Sequence, residues 1–143
     1  MSVKLENLAL AVKRLQYRHH RALDTRLAPL GTTLVQWDAL RAISRHPDAS
    51  AHLLAQLTFQ TDQSFGTLAG RLEARGLIER TTGPGRAIRH RLTPTGEALL
   101  REGHTAYNEV ISKSFAPLSP GELDTLYDLL SRLLQESGEP RAK

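Results

Sequence analysis

Between Thr61 and Thr93 the chain reads TDQSFGTLAGRLEARGLIERTTGPGRAIRHRLT. From Arg71 to Arg91 it carries six arginines against two acids, Glu73 and Glu79, a local excess of +4 that equals the formal charge of the whole chain. Just before this cluster, Gln63, Ser64, Thr67 and Arg71 fall on or near one face of the helix that Thr61 would cap. The chemistry on offer is that of contact with double-stranded DNA. A glutamine in the first turn of such a helix can pair with adenine through two bonds, and cationic flanks release counterions from phosphates. Gln63 is therefore the candidate for a base edge, and Ser64 and Thr67 for bases or phosphates. Arg71 suits a phosphate contact or a structural ion pair. Arg86 and Arg89 are the candidates on the hairpin that follows. His90 and Arg91 alternate along a strand, so only one of them should face outward. The competing reading of the same residues is a solvated polar face and an ordinary charged hairpin.

The elements needed to position these residues are legible around them. Phe65, Leu68, Ala69 and Leu72 form the core face of the short helix, and Gly76 stops it. Two β-prone runs, Leu77–Arg80 and Ala87–Leu92, flank the turn Gly83-Pro84-Gly85. Upstream, a helix from about Val3 to Leu27 repeats Leu5, Leu8, Val12, Leu15, His19 and Ala22 at spacings of three and four, and Pro29 and Gly31 end it. Thr33 and Gln36 read as a capping box for a second helix bearing Leu34, Trp37, Leu40 and Ile43. Ser50 caps a short third helix with Leu53, Leu54 and Leu57, and Thr58-Phe59-Gln60 links it to the Thr61 cap. Two short helices joined this way form a helix-turn-helix. Downstream, Thr93-Pro94 opens a fifth helix reaching about Phe115. After Pro117, Ser119-Pro120-Gly121-Glu122 is a second capping box, opening a sixth helix with Leu123, Leu126, Leu130, Leu133 and Leu134.

The predicted fold is mainly α with a small β-hairpin wing, a winged helix-turn-helix. One domain of 1–143 is expected, with a DNA-binding unit of about 34–93. Residues of about 1–28 and 94–137 lie outside the minimal winged unit and carry apolar stripes. A monomer could fold them back onto that unit. The favoured alternative is a homodimerisation region, because two copies can read half-sites about one turn, ~34 Å, apart.

Composition narrows the classes. A length of 143 residues with 40% hydrophobic and 24% charged residues suits one soluble domain. The sequence pI of about 9.8 favours an acidic partner, yet +4 alone would equally fit a basic enzyme. The clustering carries the inference. With no cysteine, the chain has no disulfide, thiolate metal site or thiol switch. Lys4, Glu6, Asn7, Lys13 and Arg14 interrupt the N-terminal apolar residues, so no signal peptide is expected. No apolar run approaches the ~20 residues that span a bilayer. No membrane association is expected, and a cytoplasmic protein is the simplest reading. Residues Gly138 to Lys143 are expected to be disordered. His19 and His20 point to different sides of a helix, and His104, on the fifth helix, could come near them only in a dimer; with no Cys and no His-x₃-His, no metal is expected. Ser-His-Asp signatures, phosphate loops and nucleotide fingerprints are missing, so neither enzymatic activity nor a cofactor is expected.

Three segments carry a family likeness. They are Leu30-Gly31-Thr32-Thr33-Leu34-Val35-Gln36, Arg71-Leu72-Glu73-Ala74-Arg75-Gly76-Leu77-Ile78-Glu79-Arg80 and Leu92-Thr93-Pro94-Thr95-Gly96. In them, and in the order of elements over nearly its whole length, the chain resembles the MarR family of bacterial winged helix-turn-helix regulators. The resemblance implies a homodimer, usually a repressor, released from DNA by a small ligand or a redox event. Two departures stand out. Family members often carry Asp-x-Arg at the wing tip, whereas Pro84-Gly85-Arg86 stands here, so Arg86 needs a different support. Gly66 and Gly70 occupy helix positions where bulkier residues are common, at about 0.5–1 kcal/mol each against alanine. Close approach to DNA or to another helix would offset that cost.

The resemblance also implies an effector site between the dimer helices and the winged unit. Tyr17, His20, Trp37 and Arg41 combine polarity with bulk there. A cleft holding Trp37 with Arg41 or His20 would suit a small aromatic acid. The competing reading has Trp37 filling the core and Arg41 facing solvent. A protein-interaction module that keeps the winged fold without specific DNA binding is the functional alternative. The arginine-rich wing argues against it, and the salt dependence of duplex binding separates the two.

Overall fold

The computed structural model describes residues 2–83, 85 and 87–137. Pro84, Arg86 and the tail expected to be disordered, 138–143, lie outside the described residues. The chain runs α1 (Leu5–Leu27), a 3₁₀ turn (Ala28–Leu30), α2 (Leu34–Arg45), α3 (Ala51–Leu57) and α4 (Asp62–Ala74). Next come β1 (Ile78–Thr82), β2 (Ile88–Leu92), α5 (Pro94–Phe115) and α6 (Pro120–Ser137). This is the expected mainly α fold with a two-stranded wing. The first helix starts at Leu5 rather than Val3, because Lys4 is extended with ψ 132°.

Side-chain caps explain where the helices begin. Thr33, Ser50, Thr61 and Thr93 each accept a hydrogen bond from the backbone N–H three residues on, at 3.0–3.2 Å. Each such cap is worth about 1 kcal/mol. At α6 the capping box is complete. Ser119 Oγ accepts from the Glu122 N–H, and Glu122 Oε1 accepts from the Ser119 N–H at 2.9 Å. That second bond, made with the backbone, is the main reason the Glu122 carboxyl sits below its ordinary pKa. The box expected at Thr33 and Gln36 is only half formed. Gln36 Oε1 instead accepts from the Arg75 guanidinium at 2.7 Å, and a charged donor competes successfully with a backbone N–H.

The strands pair antiparallel, with Ile78 opposite Leu92 and Arg80 opposite His90. Alternation then buries Ile78, His90 and Leu92 and leaves Glu79, Arg89 and Arg91 exposed. Of His90 and Arg91, the arginine is the outward one. One hydrophobic cluster joins Leu23 and Leu27 of α1, Trp37, Leu40 and Ile43 of α2, and Leu54 of α3. It continues through Phe65 and Leu72 of α4, both strands, and Leu99, Leu100 and Ala106 of α5. Two glycines permit close approach in this core. A Cβ on Gly96 would lie 2.0 Å from the Leu77 carbonyl oxygen, so the start of α5 can sit on the hairpin only without a side chain there.

The two ends of the chain are different. Leu5, Leu8 and Val12 on α1 are exposed, and so are Tyr127, Leu130 and Leu133 on α6. The C-terminal half of α1 is held to α5. His19 Nε2 and Ser114 Oγ share a 2.5 Å hydrogen bond, and Arg26 pairs with Glu109. Among the described residues no helix is long and apolar enough to cross a membrane.

Candidate nucleic-acid interface

Helix α4 divides cleanly. Phe65, Leu68, Ala69 and Leu72 are buried, and Gln63, Ser64, Thr67 and Arg71 are exposed. These four polar residues line one shallow groove of about 350 Å³ together with Val35, Gln60 and Leu68. In the sequence Gln60 reads only as part of a linker, yet it lines this groove. Its signal was its place one residue before the Thr61 cap, on the approach to a helix N-terminus. Asp62, in the first turn, holds the His52 ring through a 2.8 Å contact between Oδ1 and Nδ1. Gly66 on the same helix meets nothing within 4 Å of an added Cβ, so no other helix among the described residues explains it.

The arginine cluster splits into two groups. Arg80 forks onto Glu73, with Nε at 3.2 Å and Nη2 at 3.0 Å from Oε1, and its backbone N–H reaches Oε2 at 3.2 Å. Those bonds hold the Glu73 carboxyl below its ordinary pKa. Arg75 donates to Gln36 Oε1 and to the Gly31 carbonyl, both at 2.7 Å. Arg89, expected to face DNA, has Nη1 2.8 Å from Asp48 Oδ1. Exposed contacts of this kind add little to stability. Their effect is geometric: they fix α4 to the wing, α4 to the loop before α2, and the wing to the loop after α2. The side chains of Arg71 and Arg91 make neither a hydrogen bond nor an ion pair among the described residues, and both residues are exposed. Arg86 lies outside the described residues.

The four effector candidates sit at two places. Trp37 is fully buried, and its Nε1 donates to the Leu100 carbonyl at 3.3 Å. Its ring stacks on Tyr107 at 5.1 Å and meets His104 edge-on at 5.0 Å. The Arg41 guanidinium lies over both rings, 4.9 Å from Trp37 and 4.7 Å from Tyr107, and pairs with Asp38 at 2.5 Å. Burial raises the Asp38 carboxyl above its ordinary pKa, with Arg41 opposing. His20 faces Asp24 at 3.3 Å, and Tyr17 is exposed beneath Arg21. Asp24 has a second task, accepting the Leu34 N–H at 2.7 Å across the chain from α1 to α2.

Residues 30–87 match the MarR family. A probable transcriptional regulator from Pseudomonas aeruginosa is 30% identical, with a TM-score of 0.78 over 91% of this chain and 99% of that one. A Mycobacterium tuberculosis MarR family protein in complex with p-aminosalicylic acid is 25% identical, with a TM-score of 0.72 over 88% and 97% of the two chains. A mutant MarR from E. coli complexed with operator DNA has a TM-score of 0.82 over 90% and 94%, at 23% identity, a likeness of fold. With its winged helix-turn-helix, its family match over that unit and a 30% identical relative spanned almost end to end, the chain belongs to the MarR family of transcriptional regulators.

Proposed function

We propose that the protein is a repressor that binds an inverted repeat in duplex DNA as a homodimer and is released by a small aromatic acid. The observation that carries the DNA reading is the shared groove of Gln63, Ser64, Thr67 and Arg71 on the exposed face of α4. Gln63 reads a base edge, Ser64 and Thr67 touch bases or phosphates, and Arg71 neutralises a phosphate. Arg86 and Arg91 add contacts from the wing. Arg89 joins them by exchanging Asp48 for a phosphate. The E. coli MarR mutant, alike in fold, is complexed with operator DNA, which supports a DNA partner for this fold.

The exposed apolar residues of α1 and α6 support the dimer, since a second copy would cover both stripes. For the effector, the complex of the M. tuberculosis relative with p-aminosalicylic acid supports an aromatic carboxylate. Such a ligand would compete with Asp38 for Arg41 beside Trp37, with His20 on the Asp38 side. It must favour a spacing of the two α4 helices that does not fit DNA, or it shifts nothing. Without cysteine, thiol oxidation is not the release signal. A DNA partner supports a cytoplasmic location.

The test uses the DNA flanking the protein's own coding region. Fluorescence anisotropy should show saturable binding with a steep salt dependence and a preference over a scrambled duplex. Binding that is weak, salt-insensitive and indifferent to sequence would overturn the proposal. Salicylate-type acids should quench Trp37 and release the duplex, and failure of both would remove the effector.

A further inference from the structure

Among the described residues, three helix-end turns share one hydrogen-bond pattern. After the 3₁₀ turn, Gly31 N–H donates to the Ala28 carbonyl at 2.9 Å and Thr32 N–H to Leu27 at 3.4 Å. After α4, Gly76 N–H donates to Glu73 at 2.9 Å and Leu77 N–H to Leu72 at 3.0 Å. After α3, Phe59 N–H donates to Gln56 at 3.2 Å and Gln60 N–H to Ala55 at 2.8 Å. This is the Schellman arrangement, whose pivot must enter the left-handed region and is usually glycine. The three pivots have φ 80°, 74° and 58°. Two are glycine and the third is Phe59, the one positive-φ residue besides glycine among the described residues.

A Cβ is disfavoured at that angle, and an aromatic ring can compensate only by burial. Phe59 has none, for it is 87% exposed. Folding therefore offers no reason for phenylalanine here. Strained backbone of this kind gathers where a side chain is needed for binding. The position indicates the partner. Phe59 stands two residues before the α4 cap, in the turn of the helix-turn-helix. It is next to Gln60, which lines the groove shared with Gln63, Ser64 and Thr67. The apolar group that a base pair displays in the major groove is the thymine methyl, and phenylalanine is among the side chains that meet it.

We propose that Phe59 is a specificity-determining DNA contact that reads one thymine methyl in each half-site. This rests on the DNA-binding reading above. The probe is a duplex selected from a random-sequence library by the wild-type protein. Each thymine is then replaced in turn by deoxyuridine, which deletes only the methyl. In each half-site, one replacement should cost the wild type about fourfold, the equivalent of one lost buried methyl group. The same replacement should cost Phe59→Gly nothing. On the unsubstituted duplex Phe59→Gly should bind about fourfold more weakly per half-site. It should melt at an equal or higher temperature, because glycine relaxes the turn. Full affinity in Phe59→Gly, or an undiminished deoxyuridine effect in it, overturns the contact and leaves the DNA reading intact. If the wild type selects no sequence, the DNA reading falls and the contact with it.

Discussion

A Cβ placed on Gly103 of α5 would lie 2.1 Å from the indole Nε1 of Trp37. The indole of α2 rests directly on the α5 backbone and donates to Leu100 one turn earlier. Gly103→Ala would gain up to about 1 kcal/mol of helix propensity. It must nevertheless push the ring off Leu100 and Tyr107, and overpacking of this kind costs about 1–3 kcal/mol or more. The steric term wins. Urea denaturation should show a lower midpoint, and native Trp37 emission should shift to the red. A variant as stable as the wild type would show that the ring has room to move.

Gln63→Ala and Arg71→Ala should fail in different ways. Loss of Gln63 should relax preference at one position of each half-site, by about 1–3 kcal/mol. Loss of Arg71, a cation without a partner among the described residues, should weaken all duplexes alike. It should also lower the salt slope by about one unit per phosphate released. Titrations of both variants on selected and scrambled duplexes at several salt concentrations check this. Equal losses on both duplexes for Gln63→Ala would remove it as a reader.

Acid should destabilise the fold through one buried histidine, His90, and two half-buried ones, His19 and His104. His90 is buried against Phe65 with its Nδ1 unpartnered. Burial first, then Arg80 on β1, lowers its pKa below the ordinary value, against an opposing pull from Glu73 on α4. His19 and His104 shift the same way, by burial and then by neighbouring arginines. Since the folded values are depressed, the unfolded chain takes up the protons first. Stability is complete above about pH 6.5 and is lost as pH falls through the folded values. The urea midpoint should therefore drop from about pH 7 to about pH 5. His90→Leu should flatten part of that slope and cost little at neutral pH, because it removes an unsatisfied buried nitrogen. A midpoint independent of pH across this range would falsify the assignment.

The apolar ends should hold two copies together. Sedimentation at micromolar concentration should give a dimer. Leu130→Glu with Leu133→Glu, both on exposed parts of α6, should shift it to monomer, and deletion of residues 1–16 should give monomer or aggregate. A well-behaved wild-type monomer under these conditions would end the proposal.

Local signals in this chain were readable and distant ones were not. The caps at Thr33, Ser50, Thr61, Thr93 and Ser119 act within three residues, so the order of helices follows from side chains near their own termini. The polar face of α4 was equally legible, since the helical period separates Gln63 and Thr67 from Phe65 and Leu68. The partners of Arg75 and Arg89 were hidden, because Gln36 and Asp48 are 39 and 41 residues away. The same distance misled the reading of Gln36 as a backbone cap. In the sequence Phe59 reads only as part of a linker, because composition does not report a backbone angle.

The Asp24 carboxylate bears on how members of such a family can exchange parts. It accepts the Leu34 amide and also faces His20, so the opening of α2 is completed by a residue ten positions upstream. A hybrid spliced at residue 34 would leave that amide to whatever side chain the donor protein happens to supply. Arg75 would likewise lose its Gly31 acceptor unless the donor loop follows the same path. A workable crossover lies before His20, inside α1, so that the reading head travels with the stretch of the long helix that braces it.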